Sequence, residues 1–222
     1  MSARRASTAR SRLRLMAGGA AIGAEAVVVS DEALIEAVQR ADDRVASEIY
    51  DRLFEVVDRT LHRVIGTRGS DHDDLVQQTF EQIVLTLSRH SFAHLCSLRT
   101  WASRVATHVG LNALRSRRRE RAVFDKTLDL EVDVPAMGFV RDPHGALHSR
   151  HELEVVRALL SEMNPVVVEV LLLHDVFGHD VAEIAMMMGT SMPAAQSRLF
   201  RGRRDLRKRL ERAGLREKEA PR

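Results

Sequence analysis

The stretch that most limits what this chain can fold into runs from Gly178 to Leu210, GHDVAEIAMMMGTSMPAAQSRLFRGRRDLRKRL. Ala185, Gly189 and Ala195 have the spacing of a helix-turn-helix. A small residue lets two helices approach, a glycine at the turn takes a positive φ, and a small apolar residue packs the second helix back. Pro193 suits a first helical turn, where its missing N–H removes no bond, and Ser191 is placed to cap that turn. At about 100° per residue, Ala195, Leu199, Gly202, Leu206 and Leu210 share one stripe of the second helix. Ser197, Arg201, Arg204 and Lys208 fall opposite. A DNA major groove would meet that second face, with early residues near base edges and later ones near phosphates. An ordinary helical hairpin with a solvated charged face has the same pattern. The turn spacing and the one-sided charge together favour DNA.

Upstream, helical periodicity recurs. Ser30 reads as a cap, Asp31 and Glu32 as first-turn acids, and Leu34 and Val38 as the start of an apolar stripe. Ile49, Leu53, Val56 or Val57, and Leu61 predict a second helix, and Gly66–Ser70 a connecting loop. A third helix is expected after Asp71, burying Leu75, Val76, Phe80, Ile83, Val84 and Leu87, with Asp74, Gln77, Gln78 and Glu81 outside. A fourth, Leu98 to about Arg121, packs through Ala102, Val105, Ala106, Val109 and Ala113. His108, Asn112, Arg115 and Arg119 lie on another stripe, with Arg104 at its edge. Trp101 projects onto that polar stripe. It either stands exposed for base stacking or packs into a neighbouring helix groove, and periodicity leaves both open. The basic end RSRRRER, with Arg117 and Arg118 beside Arg115 and Arg119, is placed for phosphate contact or for solvation.

Between the third and fourth helices, His90, His94 and Cys96 raise the question of zinc, and with it of a helical enzyme. A fourth ligand at usable spacing is missing, and a loop shaping a binding surface fits better. Ala122–Gly145 then turns acidic and carries Pro135, Gly138 and Pro143, so a mostly extended linker is expected. Beyond it, Leu153, Val156, Leu159 and Leu160 predict a helix, and Asn164-Pro165 opens another. VVVEVLLL is rich in β-branched residues and could be a strand. Its place between helices favours a buried helix.

Composition agrees with an all-α chain of two small helical domains. Aromatics make up 4%, and Ala, Leu, Val and Arg dominate. The formal net charge is only +3, but the charge is segregated. With one cysteine, no intramolecular disulfide forms, in keeping with a reducing cytoplasm. No apolar run approaches the roughly 20 residues of a spanning helix. Residues 1–29 read as a disordered basic extension. Three glycines and Glu25 interrupt the apolar patch that a signal peptide would need, and a misassigned start would yield the same stretch.

Two helical domains, each ending in a basic helix and joined by an acidic tether, resemble a bacterial RNA polymerase sigma factor of the extracytoplasmic-function type. DDLVQQTF through SLRTWASRVATHVGLNALRSRRR resembles sigma region two, and AEIAMMMGTSMPAAQSRLFRGRRDLRKRL region four. The resemblance implies residues 30–121 as the region-two domain, 122–146 as a flexible linker, 147–213 as the region-four domain and 214–222 as a charged tail. It implies that Asp74, Gln77, Gln78 and Phe80 dock on the polymerase clamp helices, with the flap as a second contact. Trp101, Arg104, His108, Asn112, Arg115, Arg117, Arg118 and Arg119 would recognise and melt the minus-ten element, with an extruded base read in a pocket of about 90–97. Ala194, Gln196, Ser197, Arg198 and Arg201 would read the minus-thirty-five element, and Arg203, Arg204 and Lys208 would meet phosphates. The partners implied are core polymerase, promoter DNA and an anti-sigma factor, with no cofactor, no metal, no small-molecule substrate and no chemistry by the chain itself. Pro193-Ala194-Ala195-Gln196 departs from the family's usual Gly-Thr-Val-Lys, which puts sequence preference in doubt. The competing reading is a stand-alone helix-turn-helix regulator.

Overall fold

The computed structural model describes residues 30–40, 44–127 and 145–215, which form eight α-helices and, among the described residues, no strand. They are α1 (Asp31–Gln39), α2 (Arg44–Ile65), α3 (His72–Ser88), α4 (Leu98–Thr127), α5 (Gly145–Glu162), α6 (Pro165–Asp175), α7 (Val181–Met187) and α8 (Met192–Arg212). The expected basic extension, residues 128–144 of the expected linker, and 216–222 of the tail lie outside the described residues. α4 continues to Thr127, beyond the expected end near Arg121, because AVFDKT holds no glycine or proline to stop it. The chain divides into two compact units, the first ending inside α4 at Gly110 and including Met186–Gly189, the second made of Leu111–Ala185 and the residues from Thr190 onward.

In the first unit, Ser30 caps α1 by accepting from Ala33 N–H at 3.2 Å. Leu34, Ile35, Ile49, Leu53, Val57, Leu61, Ile83, Leu87 and Leu98 are fully buried, each on the expected apolar stripe of its helix or beside it. α2 and α3 meet through Tyr50, whose ring centroid lies 4.7 Å from that of Phe80. α4 crosses α2 at Gly110: a Cβ there would stand 3.0 Å from Val64 Cγ1, so only glycine permits this approach without displacement. Buried polar groups of this core find partners, except that His72 Nδ1 has none among the described residues. Thr79 and Thr107 donate to carbonyls one turn back, each at 2.8 Å, and buried His72 meets Asp58 Oδ1 through Nε2 at 2.8 Å. One expectation changes here, for Val84, and one open alternative is decided, for Trp101. Val84, expected inside, is 38% exposed. Trp101, projected onto a polar stripe, is buried at 7% exposure because Phe92 folds back from the preceding segment onto its ring, centroids 5.1 Å apart.

In the second unit, α6 is buried on several sides, with Val168, Val170, Leu171, Leu172 and Leu173 all inside. An element surrounded by neighbours shows a run of apolar residues instead of a stripe, which is why periodicity left a strand open. Asn164 decides it. Its side chain accepts from Val166 N–H at 3.1 Å and Val167 N–H at 3.4 Å, and Pro165 fills the first turn. α7 starts on a reciprocal capping box: Asp180 Oδ1 accepts from Glu183 N–H at 2.7 Å, and Glu183 Oε2 from Asp180 N–H at 3.2 Å. α8 crosses α6 at Gly202, where a Cβ would lie 3.0 Å from Val167 Cγ1 and 3.3 Å from Leu171 Cδ1. Leu153, expected on the packing stripe of α5, is exposed, while Leu160 is buried.

Candidate nucleic-acid interface

The turn between α7 and α8 forms as its residues require. Gly189 has φ +57°, Ala185 and Ala195 are buried, and Ser191 Oγ accepts from Ala194 N–H at 3.4 Å. With Ala195, Leu199 and Gly202 buried, the orientation of α8 is fixed, and Gln196, Ser197, Arg201, Arg204 and Lys208 stand exposed on its outer side. Ala194 and Arg198 are half-buried at its flank. Arg201 leans back along the helix, its Nε donating to the Ser197 carbonyl at 3.3 Å.

Arg203 differs from its neighbours. Its guanidinium grips Asp175, at the end of α6, with Nε donating to Oδ2 at 3.0 Å and Nη2 to Oδ1. His174 Nδ1 lies 3.1 Å from that guanidinium and 2.8 Å from the carboxylate. The hydrogen bond from Arg203 is the main reason the Asp175 carboxyl is held below its ordinary range. Desolvation opposes the shift and His174 adds to it. The same bond raises Arg203. Arg203 therefore braces α8 against α6 as a bidentate pair, whereas Arg204 and Lys208 make no ion pair with a described residue. Phe200, 67% exposed on the outer side of α8, was not among the expected site residues, although the angular count that placed Ser197 and Arg204 reaches it.

In the first unit, Asp74, Gln77 and Gln78 are exposed on α3, and Gln77 donates to Glu81 at 2.9 Å. Phe80 is buried against Tyr50, so it holds the helix that carries this face and is not part of the face itself. The exposed row continues through Val84 and Leu85, the latter 47% exposed. Residues 89–97 connect α3 to α4 and contain two non-glycine residues with left-handed backbones, His90 at φ 52° and His94 at φ 54°. The His94 ring packs on Phe92 with centroids 4.8 Å apart, and among the described residues no group of His, Cys, Asp or Glu is arranged to hold a metal ion. Along α4, Arg104 is half-buried, and His108 and Asn112 are exposed. Arg115 and Arg117 are half-buried, and Arg118 and Arg119 are exposed.

The described residues thus present a polar face on α3, a short segment with left-handed backbones leading into a basic helix, and a basic helix-turn-helix. Residues 49–120 match the family model for sigma-70 region 2, and residues 153–206 that for sigma-70 region 4. The chain is 30% identical over 179 residues to the RNA polymerase sigma factor NccH of Alcaligenes xylosoxydans xylosoxydans, covering 79% of this chain and 92% of that one. It is 34% identical to the ECF RNA polymerase sigma factor SigG of Mycobacterium tuberculosis over 62% of this chain, a stretch spanning 42% of that protein. Among solved structures it is similar to CnrH in complex with the cytosolic domain of CnrY, with 22% identity, coverage of 82% and 97%, and a TM-score of 0.48. The chain belongs to the sigma-70 family of RNA polymerase sigma factors, in its extracytoplasmic-function branch. Members of that family bind core RNA polymerase and promoter DNA and act in transcription initiation.

Proposed function

We propose that this chain is an alternative sigma subunit in which the exposed α3 face docks on core polymerase, residues 89–97 with α4 receive the opened minus-ten element, and α8 reads the minus-thirty-five element. The observation that carries the reading is the presence, in one chain and in order, of matches to both sigma regions, each presenting a polar or basic face outward. Asp74, Gln77 and Gln78 are the polymerase contacts, and Phe80 sets their helix. Trp101, buried against Phe92, backs the pocket for an extruded base, with Arg104, His108 and Asn112 along its rim and Arg115–Arg119 near phosphates.

On α8, Ala194, Gln196, Ser197, Arg198 and Arg201 approach base edges. Phe200 supplies an apolar contact of the kind a thymine methyl accepts, and Arg204 and Lys208 meet phosphates. Residues 30–121 and 147–213 form the two working domains on either side of the acidic segment. The flap of polymerase and an anti-sigma factor complete the partners. The chain performs no covalent step itself, and its place of action is the cytoplasm, where polymerase and promoters are. Among the described residues no helix is long and apolar enough to cross a membrane.

Purified chain mixed with core polymerase should co-elute with it and produce transcripts from defined starts. Absence of association at micromolar protein would end the proposal, and duplex binding that ignores polymerase would instead support an independent helix-turn-helix regulator.

A further inference from the structure

α4 begins at Leu98, and the first N–H groups of any helix lack partners inside it. Ser97 serves one of them, its Oγ accepting from Thr100 N–H at 3.1 Å, while its carbonyl takes the first regular helical bond from Trp101 N–H at 3.0 Å. Leu98 is 1% exposed, so its N–H is closed off from water and needs a protein acceptor. That acceptor is Asp31 Oδ2, at 3.2 Å and 67 positions earlier in the chain. The other oxygen, Oδ1, takes Arg52 Nη1 at 3.1 Å, and Arg52 Nη2 continues to Glu48 Oε1 at 3.2 Å. One carboxylate thus joins the first turn of α1, the middle of α2 and the first residue of α4. The positive ends of two helices and a guanidinium all favour its charge.

Residues 89–97 are held at their near end by α3, through Arg89 N–H on the Leu85 carbonyl at 3.2 Å and Ser91 N–H on the Thr86 carbonyl at 3.1 Å. Their far end is the first turn of α4, which Asp31 ties to the helical body. Between those ends His90 and His94 keep strained left-handed backbones, and Phe92 packs on Trp101. A loose far end would release both. We propose that Asp31 is a positioning residue for promoter opening. Its carboxylate holds the far end of 89–97 and the first turn of α4 in the arrangement that receives the extruded base, without touching DNA. This rests on the reading of that segment as the minus-ten site. Asp74, Gln77 and Gln78 take no part in the Asp31 network, so docking on polymerase is separable from it.

The test uses the full chain assembled with core polymerase on a duplex carrying a transcript start mapped for this chain, with 2-aminopurine in the minus-ten element. Core affinity and the fraction of open complex are measured at saturating holoenzyme, below the unfolding temperature of each variant. Asp31→Ala should leave core affinity unchanged and lower the open fraction about tenfold, the scale of one buried N–H without an acceptor. Asp31→Asn keeps an acceptor for Leu98 N–H but loses the pair with Arg52, and should fall about threefold. A role in stability alone would lower the unfolding temperature yet give the wild-type open fraction at saturation, and that result overturns the proposal. So does an Asp31→Ala loss of core affinity in proportion to opening. If the wild-type holoenzyme opens no promoter, the minus-ten reading fails first and takes the proposal with it.

Discussion

The two units present basic helices on different foundations. In the second, α8 is oriented by its own sequence: Ala195, Leu199 and Gly202 face inward, the caps are local, and the outward residues follow from the angle between them. In the first, the segment proposed to receive the extruded base is assembled from distant parts. Phe92 covers Trp101, Asp31 of α1 holds the start of α4, and Gly110 lets α4 lie against Val64 of α2. Each unit also uses an aspartate from a neighbouring helix, Asp31 to anchor a backbone N–H and Asp175 to brace an arginine. The contrast suits the tasks proposed for the two units. Reading closed duplex needs one rigid helix, whereas receiving a base out of the stack needs a pocket with several walls.

The largest effect should come at the α3 face. Replacing Asp74 and Gln78 together by arginine should weaken core binding at least a hundredfold while leaving the thermal unfolding of the free chain near wild type, because both side chains are exposed. Retained core affinity in a quantitative pull-down would remove α3 from the interface. Next is Gly110→Val. With 3.0 Å to Val64 already filled by the first added carbon, it should destabilise the first unit by about 2–3 kcal/mol in urea unfolding. A fully wild-type midpoint would mean that α2 and α4 are not in close contact at this crossing. Asn164→Ala should cost the second unit about 1 kcal/mol through removal of its cap, measured the same way.

Much of this was legible in the sequence where the determinant is local. Gly189, Ser191 and Pro193 predict the turn into α8, and Asn164-Pro165 the start of α6. Less was legible where the partner is remote. The angle of Trp101 on α4 gives no sign that Phe92 returns to cover it, and Asp31 reads as a first-turn acid of α1 until Leu98 is seen beside it. Arg203 reads as one more cation of a basic helix. Only the fold brings Asp175 to it.

The smallest effects separate brace from reader on α8. Arg204→Ala should reduce the slope of log affinity against log salt by about 0.9, the value for a single neutralised phosphate, whereas Arg203→Ala should leave that slope unchanged and lower stability. Equal slopes for the two variants would put Arg203 back among the residues that meet phosphates. The folded state holds the Asp175 carboxyl below its ordinary value, so its contribution is complete above the unfolded-state pKa and disappears as pH falls through the folded one. The gap in urea midpoint between wild type and Asp175→Asn should accordingly be constant from about pH 8 to about pH 5 and close below about pH 4. A gap that persists at low pH would show that Asp175 acts other than as a charged partner of Arg203.

Core dependence is tested most directly by binding of the full chain to a duplex carrying its mapped promoter, with and without purified core polymerase, against a scrambled duplex of equal length. Two reading ends that work only when polymerase holds them predict specific retention of the promoter duplex with core present and no preference over the scrambled duplex without it. Equal, sequence-specific retention by the chain alone would contradict this and leave a helix-turn-helix protein that finds its site unaided.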